Sequence, residues 1–249
     1  MSHTSCFQLV REGGGAILRI ALDRPAQRNA MSRAMVDAML ALLDTEGAGD
    51  EARVIIVHGL GRGFYAGSDL GELAEMRRME RAAFEADCGT LSCRLNDYPV
   101  PVIAAVHGFA IGGGLTLAAA CDMVISTADA TWSLPEVPIG LFPAWGLGAV
   151  DDRIGLARAR RLALGMDRLT GTQAADWGLV DEIASEPLAH ASALAASIIA
   201  LPAAQLAQAK AHYRRADRWT VKDQAANARF LNATESAEAQ ASFLRFGKG

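Results

Sequence analysis

The spacing of apolar positions changes as the chain proceeds. Residues 16–22 read Ala-Ile-Leu-Arg-Ile-Ala-Leu and end at Asp23-Arg24-Pro25, which predicts a short strand stopped by proline. Ser32 is suited to cap a helix, and Met35, Met39, Leu42 and Leu43 then recur at helical spacing until Gly47 and Gly49. Arg53–His58 is a continuous β-branched run that enters Gly59-Leu-Gly-Arg-Gly63, the pattern of a buried strand leading into a glycine loop. Val102–Val106 repeats the device before a second glycine loop, and Met123–Ser126 forms a further short strand. Strands separated by helices require crossover connections, so the pattern predicts an α/β core. Past about residue 145, alanine, leucine, arginine and glutamine dominate, with helical windows near 155–165, 172–178, 187–200, 203–215 and 218–245.

Composition narrows the function classes. The 249 residues are 51% hydrophobic and carry 24 basic against 28 acidic side chains, a net charge of −4, without a Lys/Arg block. Nucleic acid is therefore excluded as the expected ligand. Cys6, Cys88, Cys93 and Cys121 form no CxxC pair and have no histidine partner at zinc-finger spacing, which fits reduced thiols in a cytoplasmic protein. The opening MSHTSCFQLVREGGG has neither the basic start nor the apolar stretch of a signal peptide. Tyr98–Cys121 lacks any formal charge, but Pro99, Pro101, Gly108 and Gly112-Gly113-Gly114 break it into strand, turn and helix rather than a membrane span.

The chemistry lies in two segments, Gly61-Arg-Gly-Phe-Tyr-Ala-Gly-Ser-Asp-Leu70 and His107-Gly-Phe-Ala-Ile-Gly-Gly-Gly-Leu-Thr-Leu117. Each follows an apolar strand and leads into a helix, a junction that aims free N–H groups and a positive helix end at one point, where an anion or a developing oxyanion is stabilised. If the two strands are neighbours, both loops open on the same sheet edge. A dinucleotide site is disfavoured, because both loops lie past the first strand and Tyr65, Tyr98 and Tyr213 lack a lysine four residues on. GxxxxGK, HExxH and GxSxG motifs are absent.

At this point the chain resembles the enoyl-CoA hydratase/isomerase, or crotonase, family. The resemblance rests on Leu22-Asp-Arg-Pro25 with Arg28-Asn-Ala-Met-Ser32, Gly63–Leu70, Pro101–Gly114, Cys121-Asp122, Leu134-Pro-Glu-Val-Pro-Ile-Gly140 and Thr170-Gly-x-x-Ala-x-x-Trp-Gly-Leu-Val180. It implies a crotonase-like ββα spiral over residues 1–190 and a C-terminal helical region over 191–249 that caps the core or mediates oligomerisation as trimers or pairs of trimers. It also implies an acyl-CoA thioester substrate, with no metal and no cofactor beyond the substrate's own coenzyme A.

By the same resemblance, the oxyanion amides fall on Ser68 and Gly113. Arg28, Asn29 and Ala30 together with Ala66, Gly67, Asp69 and Leu70 correspond to the loops that hold coenzyme A, and Gly112 lies beside them. Arg28 either faces a phosphate or is simply solvated. Of the two glutamates shared by the family's hydratases, the first position holds Thr116 and the second holds Glu136.

A hydroxyl is no base at neutral pH, so Thr116 is expected to position a water or a substrate oxygen, and single-base isomerisation is the nearer analogy. Hydroxycinnamoyl-CoA hydratase-lyase, decarboxylase, thioester hydrolase and plain acyl-CoA binding remain alternatives. Glu136 is expected to have a raised pKa from Trp132, Leu134 and Val137. Trp145 either shapes the acyl pocket or packs under the helical cap. Asp69 and Asp122 suit turn or helix-end roles, and His107 a structural one.

Overall fold

The computed structural model describes residues 2–4, 6–47 and 52–246. The chain opens with β1 (Ser2–Thr4), β2 (Phe7–Glu12) and β3 (Ile17–Leu22), followed by α1 (Arg33–Gly47), β4 (Val54–Gly59), α2 (Leu70–Glu75) and α3 (Arg78–Asp97). The middle holds β5 (Val102–Val106), β6 (Phe109–Ile111), α4 (Gly113–Ala120), β7 (Met123–Ser126) and β8 (Thr131–Ser133). Then come α5 (Leu147–Ala163), β9 (Arg168–Leu169), α6 (Gly171–Trp177) and β10 (Glu182–Ile183), and finally α7 (Pro187–Ile199), α8 (Ala203–His212), α9 (Ala216–Ala233) and α10 (Ala237–Phe246).

Seven strands form one sheet in the order β1-β2-β3-β4-β5-β7-β10, antiparallel through β3 and parallel from β3 onward. The apolar runs read from the sequence are its centre: β4 and β5 lie side by side, with Ile55 opposite Val102 and His58 opposite Ala105. Alternate residues of β4 feed different cores. Val54 and Ile56 join Ile103, Ala105 and Ile125 under Ala191, Ala195 and Ile198 of α7, while Ile55 and Val57 face the larger core with Met35, Met39, Leu91 and Leu115. Each such fully buried Val, Ile, Leu or Met side chain contributes about 1.5–3 kcal/mol. A smaller sheet, β6-β8-β9, stands beside the first.

Ser32 caps α1 as expected, its hydroxyl accepting the Met35 N–H at 3.2 Å; Gly49 lies outside the described residues. The uncharged run from Tyr98 to Cys121 divides into β5, β6 and the short α4. Among the described residues no single helix is long and apolar enough to cross a membrane, and α7 and α8, which reach that length only together, meet at a 112° bend. All four cysteines are buried, and among the described residues no disulfide joins them.

Two helical expectations need correction. The first window starts at Leu147, not 155, with Gly155 (φ +73°) as an internal kink. The last window is two helices, broken where Ser236 turns to cap α10 by accepting the Ala239 N–H at 3.1 Å. The division at residue 190 falls inside α7, which lies on the sheet. Further along, Lys210 on α8 pins the late helices to the core, donating to the carbonyls of Leu95 (3.1 Å) and Val100 (2.9 Å) and to Asp122 (2.6 Å).

Candidate active site

Because β4 and β5 are parallel neighbours, the glycine loops that follow them leave from the same sheet edge and meet. Phe64 N–H donates to the carbonyls of His107 and Phe109, and His107 Nε2 lies 3.0 Å from the Gly61 carbonyl oxygen, so His107 ties the loops together. Contact is backbone on backbone: a Cβ placed on Gly114 would lie 2.0 Å from the Tyr65 carbonyl oxygen, and one on Gly67 would lie 3.4 Å from Gly113 N. Gly114 therefore has no room for a side chain, and Gly67 holds φ +89°, a conformation that favours glycine.

The amides are left free by their local geometry. In the bridge between Met31 and Ser68, the bonds run from Met31 N–H to the Gly67 carbonyl and from Asp69 N–H to the Met31 carbonyl, which bypasses Ser68 N–H. Gly113 is the first residue of α4, where no intrahelical acceptor exists. Among the described residues, neither N–H has a carbonyl partner. Both residues line a cavity of about 290 Å³.

Glu136 stands at the start of a short 3-10 turn, Val137–Ile139, with its carboxylate turned into this cavity. The residue keeps some exposure, but its Oε2 is sealed from solvent and has no hydrogen-bond partner. Burial raises its pKa from 4.5 to about 7, with a further upward push from the Glu85 charge. Of the three apolar neighbours in sequence, Trp132 and Leu134 are fully buried and Val137 is 38% exposed. Glu136 Oε1 would lie 2.6 Å from a Cβ at Gly112, whose φ of +57° and ψ of −125° also exclude ordinary side chains. Gly112→Ala should therefore displace the carboxylate and lower turnover at least about tenfold, measured as kcat with the fold checked by circular dichroism.

Thr116 lines the same cavity and donates its hydroxyl to the Gly113 carbonyl at 3.2 Å. Trp145 is 4% exposed and lines the cavity, with its ring 2.7 Å from where a Cβ on Gly113 would sit. Its indole N–H donates to Glu85 at 2.8 Å. Glu85, on α3, is missing from the sequence reading. It is 3% exposed and lines the cavity, and burial raises its pKa to about 7 against hydrogen bonds to Ser68 and Trp145 that lower it. The available signal was its neighbourhood: Phe84, Cys88, Leu91 and Leu95 trace a helical apolar stripe that Glu85 borders.

Not every residue of the coenzyme-A loops reaches the cavity. Arg28, Ala66, Gly67, Ser68, Leu70 and Gly112 line it, with Arg28 exposed at its rim. Asn29, Ala30 and Asp69 do not. Asn29 is fully buried, and its Nδ2 donates toward the carbonyls of Leu60, Gly63 and Phe64, which fixes the first glycine loop. The Ala30 carbonyl accepts the Arg24 guanidinium. Asp69 caps α2 by accepting Gly71 N–H at 3.0 Å and Glu72 N–H at 3.3 Å, and it pairs with Arg24 at 3.0 Å. Asp122 likewise serves structure, accepting Val102 N–H at 2.7 Å. The opposite wall includes Phe142, Phe230 from α9 and Phe246 from α10, so the late helices close the cavity.

This geometry, two free amides beside a buried carboxyl, can be set against known proteins. A family model described as enoyl-CoA hydratase/isomerase matches residues 12–247. A probable enoyl-CoA hydratase of Bacillus subtilis is 37% identical over 68% of this chain and 67% of its own length. An enoyl-CoA isomerase/hydratase, fer4, of Mycosarcoma maydis is 37% identical over 68% of this chain and 65% of its own length. The alignments thus span about two thirds of these relatives. Among solved structures, an enoyl-CoA hydratase/isomerase from Mycobacterium paratuberculosis superposes with a TM-score of 0.90 at 26% identity, covering 98% of this chain and 100% of that one. A second, described as a putative enoyl-CoA hydratase/isomerase from Acinetobacter baumannii, gives 0.87 at 26% identity over 98% and 100%. On a match that runs nearly end to end and an architecture shared over the whole chain, this protein belongs to the enoyl-CoA hydratase/isomerase family and has the crotonase fold.

Proposed function

We propose that the chain acts on an acyl-CoA thioester, holding the thioester carbonyl oxygen between the N–H groups of Ser68 and Gly113 while Glu136 moves a proton at the α carbon. The observation that carries this reading is the convergence of two unpartnered amides beside an unpartnered buried carboxyl oxygen. As the α C–H bond breaks, its electron pair passes into the carbonyl and negative charge collects on the oxygen. Donors already fixed at that point stabilise the enolate without reorganisation, each contributing on the order of 10²–10³-fold in rate. Arg28 at the rim suits the phosphates of coenzyme A.

The reaction this arrangement favours is conversion of a 3-enoyl to a 2-enoyl thioester. Thr116 offers a hydroxyl already committed to the Gly113 carbonyl, so no base stands at that position. Hydration of a 2-enoyl thioester is the second reading, favoured by the Glu85 carboxyl on the same cavity wall. Assembly into trimers or pairs of trimers and a cytoplasmic location complete the proposal. Purified protein assayed against 3-enoyl-CoA and 2-enoyl-CoA thioesters of several chain lengths tests it: isomerisation is expected to dominate, and inactivity on both would overturn the reading.

A further inference from the structure

Glu85 is a costly residue to bury for a purely structural task. Its hydrogen bonds from the Trp145 indole and the Ser68 hydroxyl are ones that a glutamine oxygen would accept equally well, and among the described residues no Lys or Arg pairs with it. The titratable groups around it are Tyr65, Cys88 and Glu136, all acids, and each is coupled to it electrostatically. Glu85 also forms part of the wall of a second cavity, about 360 Å³, between α3 and α9. In that cavity Asp223 Oδ2 and Asn227 Oδ1 are buried without hydrogen-bond partners, which makes it suited to water. Glu85 therefore lines both the first cavity and a recess that holds two buried polar atoms.

We infer that Glu85 is the second proton-transfer group of this site, serving the acyl carbon beyond the α position while Glu136 serves the α carbon, and exchanging its proton with solvent through the second cavity. This rests on the function proposed above. In the isomerisation, Glu136 takes the α proton and the C–H electrons become a dienolate. The dienolate then takes a proton at the γ carbon from the Glu85 carboxylic acid, whose O–H electrons stay on Glu85, and the double bond settles between the α and β carbons. Glu136 ends protonated and Glu85 ionised, and water returns each to its starting state. A carboxyl that titrates near neutrality is suited to that cycle.

The experiment is single-turnover conversion of 3-enoyl-CoA in D2O, with the label located by NMR, for the wild type, Glu85→Gln and Glu136→Gln. The wild type is expected to place deuterium at the γ carbon, and Glu85→Gln to turn over about 10²-fold more slowly with protium carried across from the α carbon in what product forms. Protium transfer from α to γ in the wild type, or full turnover by Glu85→Gln, would overturn the inference while leaving Glu136 in place. Full turnover by Glu136→Gln would instead remove the reading it rests on. If the wild type hydrates 2-enoyl-CoA rather than isomerising, loss of hydration in Glu85→Gln supports the same role and its retention overturns it. Native-like thermal unfolding of Glu85→Gln excludes a folding defect.

Discussion

Glu136→Gln is expected to lower kcat by about 10²–10⁴-fold with little change in KM, because the amide keeps the shape of the carboxyl but cannot accept a proton. In the wild type Glu136 works only when ionised, so kcat should rise as it loses its proton, and it should fall again at higher pH as Glu85, the inferred donor, loses its own. Glu85 titrates in the same range and sits close enough to raise Glu136, so the apparent values belong to the pair. Stability should move against the rising limb. A carboxyl raised from 4.5 to about 7 holds its proton more tightly folded than unfolded, so its favourable contribution is present at low pH and is lost as pH climbs through that interval. Relative to the wild type, Glu136→Gln should thus gain stability between about pH 5 and 8. Urea melts across that range, paired with kcat profiles, check both signs; parallel loss of activity and stability on acidification would contradict them.

Lys210→Met is expected to give the largest stability loss outside the cavity, about 3 kcal/mol, the lower end for breaking a buried pair, because Asp122 retains contact with water. For a chain of this size that corresponds to a Tm lower by about 6–12 °C. The methionine would fill the space of the lysine stem but leave the Leu95 and Val100 carbonyls and the Asp122 carboxylate without their donor. Adding Asp122→Asn should recover part of the loss, and kcat per folded molecule should be unaffected, since neither residue lines the cavity.

The strands that organise the site were legible because burial on both faces leaves no room for polar residues: β4 and β5 read as unbroken apolar runs, and glycine loops follow each. The N-terminal hairpin was not, since β2 mixes Gln8, Arg11 and Glu12 with its apolar residues at the sheet margin. The helix-capping role of Asp69 was legible because its partners, Gly71 and Glu72, are its immediate neighbours, but local spacing could not separate Asn29 from the residues that face the cavity. Asn29 lies in the right loop, but its short polar side chain finds backbone partners there, an outcome decided by chain segments up to 35 positions away. Glu85 escaped notice for a related reason. On a helix a glutamate is ordinarily solvated, and its burial depends on α9 and the Trp145 segment packing over α3.

The meeting of the two glycine loops has a consequence for how this scaffold can diversify. The gap between the Ser68 and Gly113 amides is set by main-chain atoms in contact, not by the length of any side chain. Substitutions at Phe142, Trp145 or Phe230 can therefore reshape the cavity wall, and with it the acyl chain that the proposed site would admit, while the spacing of the donors stays constant. A polar locus made from backbone and a changeable lining made from side chains let selectivity drift under selection without re-inventing the means of stabilising charge.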